Sequence, residues 1–438
     1  MSASKISRPA MSSERSAMTS ERPVASTARV VESSAPFNVG LLGFGTVGSA
    51  FATLLGERAQ HIEMLTGRLP VLGETLTTSK GDFAQILESS DLIVELIGGI
   101  EPAREYVLAA LQAGKHVVTA NKQLLSQHGE ELLAAARASG VQLRFEAAVA
   151  GVVPVIRVLC ESLAGAHIER IHGIVNGTTN FILSEMTGGS SYEQALAEAQ
   201  RQGYAEADPS DDVSGRDAAA KMAILARLAF GTPVHIDQVP YEGIEQLQTD
   251  DLQYARELGL GLKLIGTAER RDGGISVRVH PAFLYSGHPL ASVNGPFNAV
   301  TVESDAITEI TMSGPGAGGR QTASAVLGDL VSAMLPLGAP SAPLEPLPLV
   351  QDVESGFYIH MEVADTPGTL ALIAQLLGEQ GASIKSVAQH GLGEHARLVM
   401  VIHPLAESRL REALKRIAAL DFLRSTPRAI RVIEEEFM

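Results

Sequence analysis

The densest run of reactive side chains is Gly203-Tyr204-Ala205-Glu206-Ala207-Asp208-Pro209-Ser210-Asp211-Asp212-Val213-Ser214-Gly215-Arg216-Asp217-Ala218-Ala219-Ala220-Lys221. It carries five carboxylates and ends in a helical pattern that sets Asp217 and Lys221 four residues apart, hence on one face. A plain surface account exists: an acidic helix start favoured by the dipole, plus an exposed ion pair worth roughly 0.2–0.5 kcal/mol. That account leaves unexplained why so many acids crowd a loop rich in Gly, Pro and Asp. Carboxylates beside a lysine suit a small substrate that carries an ammonium group. A second segment, Thr119-Ala120-Asn121-Lys122, follows an apolar strand-like run. Ligands of open α/β sheets sit outside the carboxyl ends of the strands, so Lys122 is expected to face a cleft. The competing account is a solvated lysine that opens a helix.

A third segment supplies a partner for these groups. Phe37-Asn38-Val39-Gly40-Leu41-Leu42 reads as a buried strand and runs into Gly43-Phe44-Gly45-Thr46-Val47-Gly48, then a helical pattern over 50–58. Strand, glycine turn and helix in that order make a dinucleotide site. Gly43 permits the turn, Gly45 lets the backbone approach a pyrophosphate, and Gly48 lets the helix pack on the strand. With a nicotinamide there, hydride delivery to a carbonyl carbon builds an alkoxide, which needs a proton or a cation within reach. A lysine supplies either. No His-x-x-His or Cys-x-x-Cys spacing indicates zinc. NAD binding needs an acid where the second strand ends, yet residues 71–80 close on Thr77-Thr78-Ser79-Lys80. Hydroxyls and a lysine suit a ribose 2′-phosphate, which favours NADP. NAD remains the alternative, with Glu74 as the acid within that stretch.

The elements that must hold these residues follow from periodicity. Strands over 91–97, 115–119 and 142–145 alternate with helices over 101–113 and 123–139, which implies a Rossmann-type doubly wound parallel sheet across residues 37–150. Residues 151–315 mix helices with strands at 168–175 and 275–281, which reads as a second, α+β domain. The glycine-rich turn Gly314-Pro315-Gly316-Ala317-Gly318-Gly319 and the helix 322–334 are expected to return the chain, over 316–338, to the nucleotide domain. Residues 339–353 read as a stiff proline-rich linker. Residues 354–438 give the order βαββαβ, a ferredoxin-like module.

The formal net charge of −16 over 438 residues argues against binding nucleic acid or anionic membranes. No apolar run reaches the roughly 18 residues that a spanning helix needs. One cysteine, Cys160, excludes an intrachain disulfide and fits a cytoplasmic, reducing setting. Set among Val158, Leu159 and Leu163, it reads as a small buried apolar residue. Residues 1–36 are rich in Ser, Ala and Arg, with Glu14, Glu21 and Glu32 against a transit peptide, and read as a disordered extension.

Taken together these motifs resemble the homoserine dehydrogenase family. The stretch Ala199 to Lys221 fits its motif at every fixed position. Glu95-Leu96-Ile97-Gly98-Gly99, Glu146-Ala147-Ala148-Val149-Ala150-Gly151, Asn176-Gly177-Thr178-Thr179-Asn180 and Gly316-Ala317-Gly318-Gly319 fit as well, so the resemblance covers residues 37–438. It implies interconversion of L-aspartate 4-semialdehyde and L-homoserine with NAD(P)H, on the path to threonine, methionine and isoleucine. By position it implies a substrate-binding, catalytic and dimerisation domain over residues 151–315, with Lys221 as proton donor, Lys122 as a second catalytic lysine touching substrate and cofactor, and Asp217 as the group that orients the substrate and Lys221. Glu206, Asp212, Gly177 and Thr178 are then the substrate contacts. Thr119 and Gly318 join the Gly43–Gly48 turn, Lys80 and Lys122 around the cofactor. A sodium-like monovalent cation is implied at Glu146 and the carbonyls of Val149, Gly151 and Val153, a donor set suited to a hard cation. The C-terminal module resembles an ACT domain, with Asp365-Thr366-Pro367-Gly368-Thr369-Leu370 at its first turn. That implies an amino-acid effector, threonine foremost, and an exposed sheet face that leads to a homodimer or homotetramer. No kinase-like segment is seen before Phe37, so a fused aspartate kinase is not expected. The rival reading is a sensing protein that binds amino acids without catalysis.

Overall fold

The computed structural model describes residues 35–335, 347–391 and 396–433. The expected disordered extension up to residue 34, residues 336–338 of the return segment, and the linker up to residue 346 lie outside the described residues. Ala35 and Pro36 are tied down, because their carbonyls accept from the Arg68 guanidinium at 3.3 and 3.1 Å.

The first unit alternates strand and helix: β1 (Phe37–Leu42), α1 (Thr46–Thr66), β2 (Pro70–Leu76), α2 (Phe83–Ser89), β3 (Leu92–Glu95), α3 (Ala103–Gln112), β4 (His116–Thr119), α4 (Lys122–Ser139) and β5 (Leu143–Arg144). The strands are all parallel in the order β2-β1-β3-β4-β5. Helices cover both faces, which is why Leu92, Ile93 and Val94 run without polar interruption and are fully buried. The order reverses between β1 and β3, and a crevice opens there beyond the strand ends. Gly43, at φ +100°, sits in that crevice; a Cβ on it would lie 2.4 Å from the Leu96 carbonyl oxygen. On Gly48, a Cβ would lie 2.2 Å from the Gly43 carbonyl oxygen, so α1 can start here only on glycine.

The second unit continues with α5 (Val155–Arg157), β6 (Ile168–Ile174), α6 (Gly177–Thr187), α7 (Tyr192–Arg201), α8 (Ser210–Val213), α9 (Arg216–Phe230) and α10 (Thr249–Glu257). Then come β7 (Leu260–Arg271), β8 (Gly274–Tyr285), β9 (Phe297–Ser304), β10 (Thr308–Pro315) and α11 (Gly319–Met334). The strands pair antiparallel in the order β10-β9-β6-β7-β8. Helix α9 is buried almost all round, its Ala218, Ala219, Ala220 and Ala223 letting it lie close to the sheet. Helix α11 packs Ala323, Val326 and Leu330 into the core that α1 and β1 share, so the chain does come back to the first sheet.

The last unit is β11 (Glu354–Val363), α12 (Thr369–Glu379), β12 (Ile384–His390), β13 (Ala396–Ala406), α13 (Glu407–Ile417) and β14 (Arg428–Ile433). The order βαββαβ is the one expected. Two features of its surroundings are not. First, β14 pairs in parallel with β8, through Arg431↔Ala282, Val432↔Phe283 and Ile433↔Leu284, so a nine-stranded sheet spans both units. Second, the sheet face expected to be exposed is covered within the chain. Tyr358, Val399, Val401, Ile430 and Val432 are buried in the central core, and α10 lies over them with the Asp251 carboxylate 2.9 Å from Arg428. The covering stops at the edge: on β12 Lys385, Ser386, Val387, Gln389 and His390 stay exposed.

Residues 347–353 are not a free spacer either. Pro348 and Val350 bond Ile275 at 2.8 and 2.7 Å, extending the β8 edge. Cys160, expected to be buried, is exposed. Consecutive residues of a helical turn point different ways, so while Leu159 turns inward, Cys160 turns out.

Candidate active site

Asn176, two residues beyond β6, caps α6: its Oδ1 accepts the Thr179 N–H at 2.8 Å. That orientation frees the amide nitrogen to donate to Asp212 Oδ1 at 2.7 Å and Asp217 Oδ2 at 2.8 Å. Asp217 stands in the first turn of α9, where the helix dipole favours a carboxylate. One turn on, Lys221 reaches back, its Nζ 2.7 Å from Asp217 Oδ2, and donates to the Val175 carbonyl at 2.7 Å. From the parallel sheet, Lys122 ion-pairs with the other oxygen, Asp217 Oδ1. One buried carboxylate thus joins two lysines, one from α4 of the first unit and one from α9 of the second.

Burial alone would raise the Asp217 carboxyl, but the two ammonium groups outweigh it and hold it far below the usual range. Burial pulls the Lys221 ammonium below its ordinary range, with Lys122 adding to it and Asp217 opposing. Lys122 is shifted the other way: burial lowers it, yet Asp217 prevails and raises it. The two lysines are therefore unequal acids, and Lys221 is the readier to release a proton. Burial and the Asp217 charge push the Asp212 carboxyl up.

These groups line a cleft of about 490 Å³ between the two sheets. It brings together Val47, Lys122, Gly177, Thr178, Glu206, Asp212, Asp217 and Lys221, with Gly151 and Gly316 on the same surface. Thr178 donates its hydroxyl to the Tyr204 carbonyl at 2.7 Å, which holds the acidic loop against α6. Glu206 is exposed at the mouth.

The remaining candidates lie outside this lining. Around the glycine turn, Phe44 is 49% exposed, and a Cβ on Gly45 would meet nothing within 4 Å among the described residues. That open space is the cradle a pyrophosphate requires, so the turn fits a dinucleotide. Gly318, at φ +134°, opens α11, and a Cβ on the next residue, Gly319, would lie 2.9 Å from Thr46 Cγ2, so the return segment closes on the same turn. Lys80 sits on the exposed turn after β2, where its N–H is held by the Thr77 hydroxyl at 3.0 Å. Glu74 is still within β2 and accepts from Gln85 at 2.7 Å, so the strand ends at Leu76 and runs into Thr77 and its neighbours without an acid. Thr119 differs from expectation. It is wholly buried, donates to Glu95 Oε2 at 2.6 Å and accepts the Asn121 N–H, so its side chain fixes the strand end and does not reach the cleft.

Glu146 opens a short 3-10 helix over Glu146–Ala148, and Val149, Gly151 and Val153 follow it on the turn that leads to α5. Ala150 and Gly151 both have positive φ, +58° and +65°, and a Cβ on Gly151 would lie 2.6 Å from the Gly316 carbonyl oxygen. The Glu146 carboxylate accepts the Ile156 and Arg157 N–H groups, each at 2.8 Å, and burial pushes it up to about 7. The turn's carbonyls and this carboxylate are hard oxygen donors, which fit a monovalent cation. Among the described residues there is no cluster of three or more His, Cys, Asp or Glu placed to hold a metal, and no helix long and apolar enough to cross a membrane.

Sequence reasoning missed Asn176 and the backbone of Val175. An Asn followed by Gly-Thr-Thr after an apolar strand is a capping signal that points to the first of them.

Comparison with known proteins identifies the family of the chain and its domains. Residues 154–331 match the family model described as homoserine dehydrogenase, residues 43–146 its NAD-binding domain, and residues 357–422 the ACT domain. The homoserine dehydrogenase of Corynebacterium glutamicum is 43% identical over 422 residues, 90% of this chain and 95% of the relative. A crystal structure of a homoserine dehydrogenase from Thiobacillus denitrificans aligns with a TM-score of 0.87 at 39% identity, over 91% of this chain and 98% of that one. A hyperthermophilic archaeal homoserine dehydrogenase in complex with NADPH aligns with a TM-score of 0.58 at 28% identity, over 70% of this chain and all of that one.

Proposed function

The chain belongs to the homoserine dehydrogenase family of NAD(P)-dependent oxidoreductases, and on that premise we propose that it reversibly reduces L-aspartate 4-semialdehyde to L-homoserine with NADPH. The observation that carries this reading is Asp217 bridging Lys122 and Lys221 in a cleft bordered by Val47 of the glycine turn. A nicotinamide held at the Gly43–Gly48 turn would supply hydride for the aldehyde carbon. Lys221 releases its proton to the aldehyde oxygen as negative charge gathers there, leaving the alcohol. In the oxidative direction the neutral Lys221 amine takes that proton back. Lys122 stays charged and steadies the same oxygen from the cofactor side. Asp217 keeps both ammonium groups aimed. Glu206 and Asp212 receive the substrate's ammonium, and the backbone at Gly177 and Thr178 closes the pocket around it.

The Gly43–Gly48 turn and Gly318 hold the pyrophosphate, and Lys80 takes the ribose 2′-phosphate. The lack of an acid after β2 and the NADPH-bound archaeal relative support NADP over NAD. Glu146 and the carbonyls of Val149, Gly151 and Val153 would hold a sodium-like cation. Threonine binds the ACT module as a feedback effector, in a homodimer or homotetramer that works in the cytosol as part of threonine, methionine and isoleucine synthesis.

The test is initial-rate oxidation of L-homoserine, with NADP and NAD in parallel and threonine titrated to millimolar. Turnover that prefers NADP and falls with threonine is expected. A folded protein inert with both cofactors in both directions removes the enzymatic reading and leaves the sensing one. A rate indifferent to threonine removes only the feedback.

A further inference from the structure

Strand β7 is apolar through Leu260-Gly261-Leu262-Lys263-Leu264-Ile265 except for one lysine. Lys263 is only 3% exposed, and its neighbour across the ladder is Ala282. Its ammonium donates to three acceptors: the Val293 carbonyl at 2.5 Å, Asn294 Oδ1 at 3.0 Å and Asn180 Oδ1 at 3.2 Å. Among the described residues no carboxylate lies within ion-pair distance, and burial is the one influence that lowers it, to about 8. No ionisable group on α6, on β8 or in residues 293–297 shifts it further. A buried charge without a counter-ion destabilises a fold. Lys263 therefore calls for a reason other than stability.

Its contacts supply one. All three acceptors belong to, or hold, the loop of residues 293–297. Asn180 donates to the carbonyls of Val293, Gly295 and Phe297 at 3.1, 2.9 and 3.1 Å, so Lys263 and Asn180 together cinch the loop from beneath. The loop's Pro296 forms part of the cleft wall. The Pro296 carbonyl accepts the Gly316 N–H at 3.1 Å, and a Cβ on Gly177 would lie 2.9 Å from it. One carbonyl thus spaces the start of α6, on the substrate side, from the segment that returns to the cofactor side.

We propose that Lys263 is a positioning residue for the active cleft: its buried ammonium sets the loop of residues 293–297, and through Pro296 the gap between Gly177 and Gly316. It touches neither substrate nor cofactor, and its effect falls on ground-state fit. Above about pH 8 the ammonium loses its proton, one of the three donors goes, and the wall loosens. The proposal rests on the dehydrogenase reading, so the test separates the two.

Lys263→Met is compared with wild type for KM, kcat and thermal midpoint between pH 6.5 and 9.5, and Asn294→Ala, at an exposed position, serves as a milder second variant. In Lys263→Met, kcat/KM is expected to fall by about tenfold or more, mostly through KM. Its midpoint below pH 8 should not fall, because the wild type carries the uncompensated charge there. Wild-type KM should rise above about pH 8, while that of Lys263→Met stays flat. Asn294→Ala should shift KM the same way by a smaller factor. Kinetics matching wild type in both variants would overturn the proposal, as would a KM insensitive to pH together with an unaltered Asn294→Ala if Lys263→Met fails to fold. If wild type does not turn over homoserine at all, the activity reading fails on its own, and Lys263→Met is judged by its dissociation constant for NADPH.

Discussion

Asp217 is the residue on which the site turns, because it is buried, charged and shared by two lysines. Its contribution is positional as well as electrostatic. In the proposed reaction Lys221 has to be protonated to serve as the acid, so that reduction is expected below the Lys221 pKa and is lost as pH rises through it. Burial, with Lys122 adding, has lowered that pKa from the ordinary value of 10.5, which brings the loss to lower pH. Asp217→Asn removes the one neighbour that opposes the shift most. We expect kcat for reduction to drop by roughly 10²–10⁴-fold and the alkaline limb to move to still lower pH, as read from the pH profile with NADPH. An unaltered limb would mean that Asp217 does not govern Lys221.

At the scale of elements, the strand-turn-helix of β1 and α1 separates two uses of glycine. Gly48 is required by packing, since a Cβ would press 2.2 Å from the Gly43 carbonyl oxygen and α1 would have to move. Gly45 is required by nothing within the protein, since the space a Cβ would enter is open. Gly45→Ala is therefore expected to keep its thermal midpoint while NADPH binding, followed by fluorescence, weakens by about tenfold or more. Gly48→Ala should lose both. If Gly45→Ala binds NADPH like the wild type, the pyrophosphate is not held at this turn.

At the scale of the molecule, the ACT module is welded to the catalytic unit by the β14–β8 pairing and by Arg428 reaching Asp251, which is fully buried on α10. Removing one member of such a pair leaves a buried charge uncompensated, at a cost of about 3–5 kcal/mol, while removing both is far milder. A double-mutant cycle of Arg428→Met and Asp251→Asn, followed by denaturant unfolding, should show the double variant more stable than the sum of the singles predicts. Additive losses would mean that the seam is held by the strands alone. One nine-stranded sheet therefore runs from β10 of the catalytic unit to β12 of the ACT module.

Local rules were enough to read a good deal of this from the residues. Apolar runs and glycine punctuation gave the parallel strands, the glycine turn and the βαββαβ order, because period and turn chemistry act over a few residues. The spacing of Asp217 and Lys221 put them on one helical face for the same reason. What joins distant segments was decided by packing. Lys122 meets Asp217 only because α4 and α9 open onto one cleft, and Asn176 joins Asp212 to Asp217 only once its cap fixes the amide. Lys263 looks out of place in an apolar strand until the loop above it is seen. The fate of β14, which pairs with β8 and whose sheet face lies under α10, depends on which surface the folded catalytic unit presents. Neither a strand nor a lone lysine carries in its own sequence the identity of a partner brought to it by the rest of the chain.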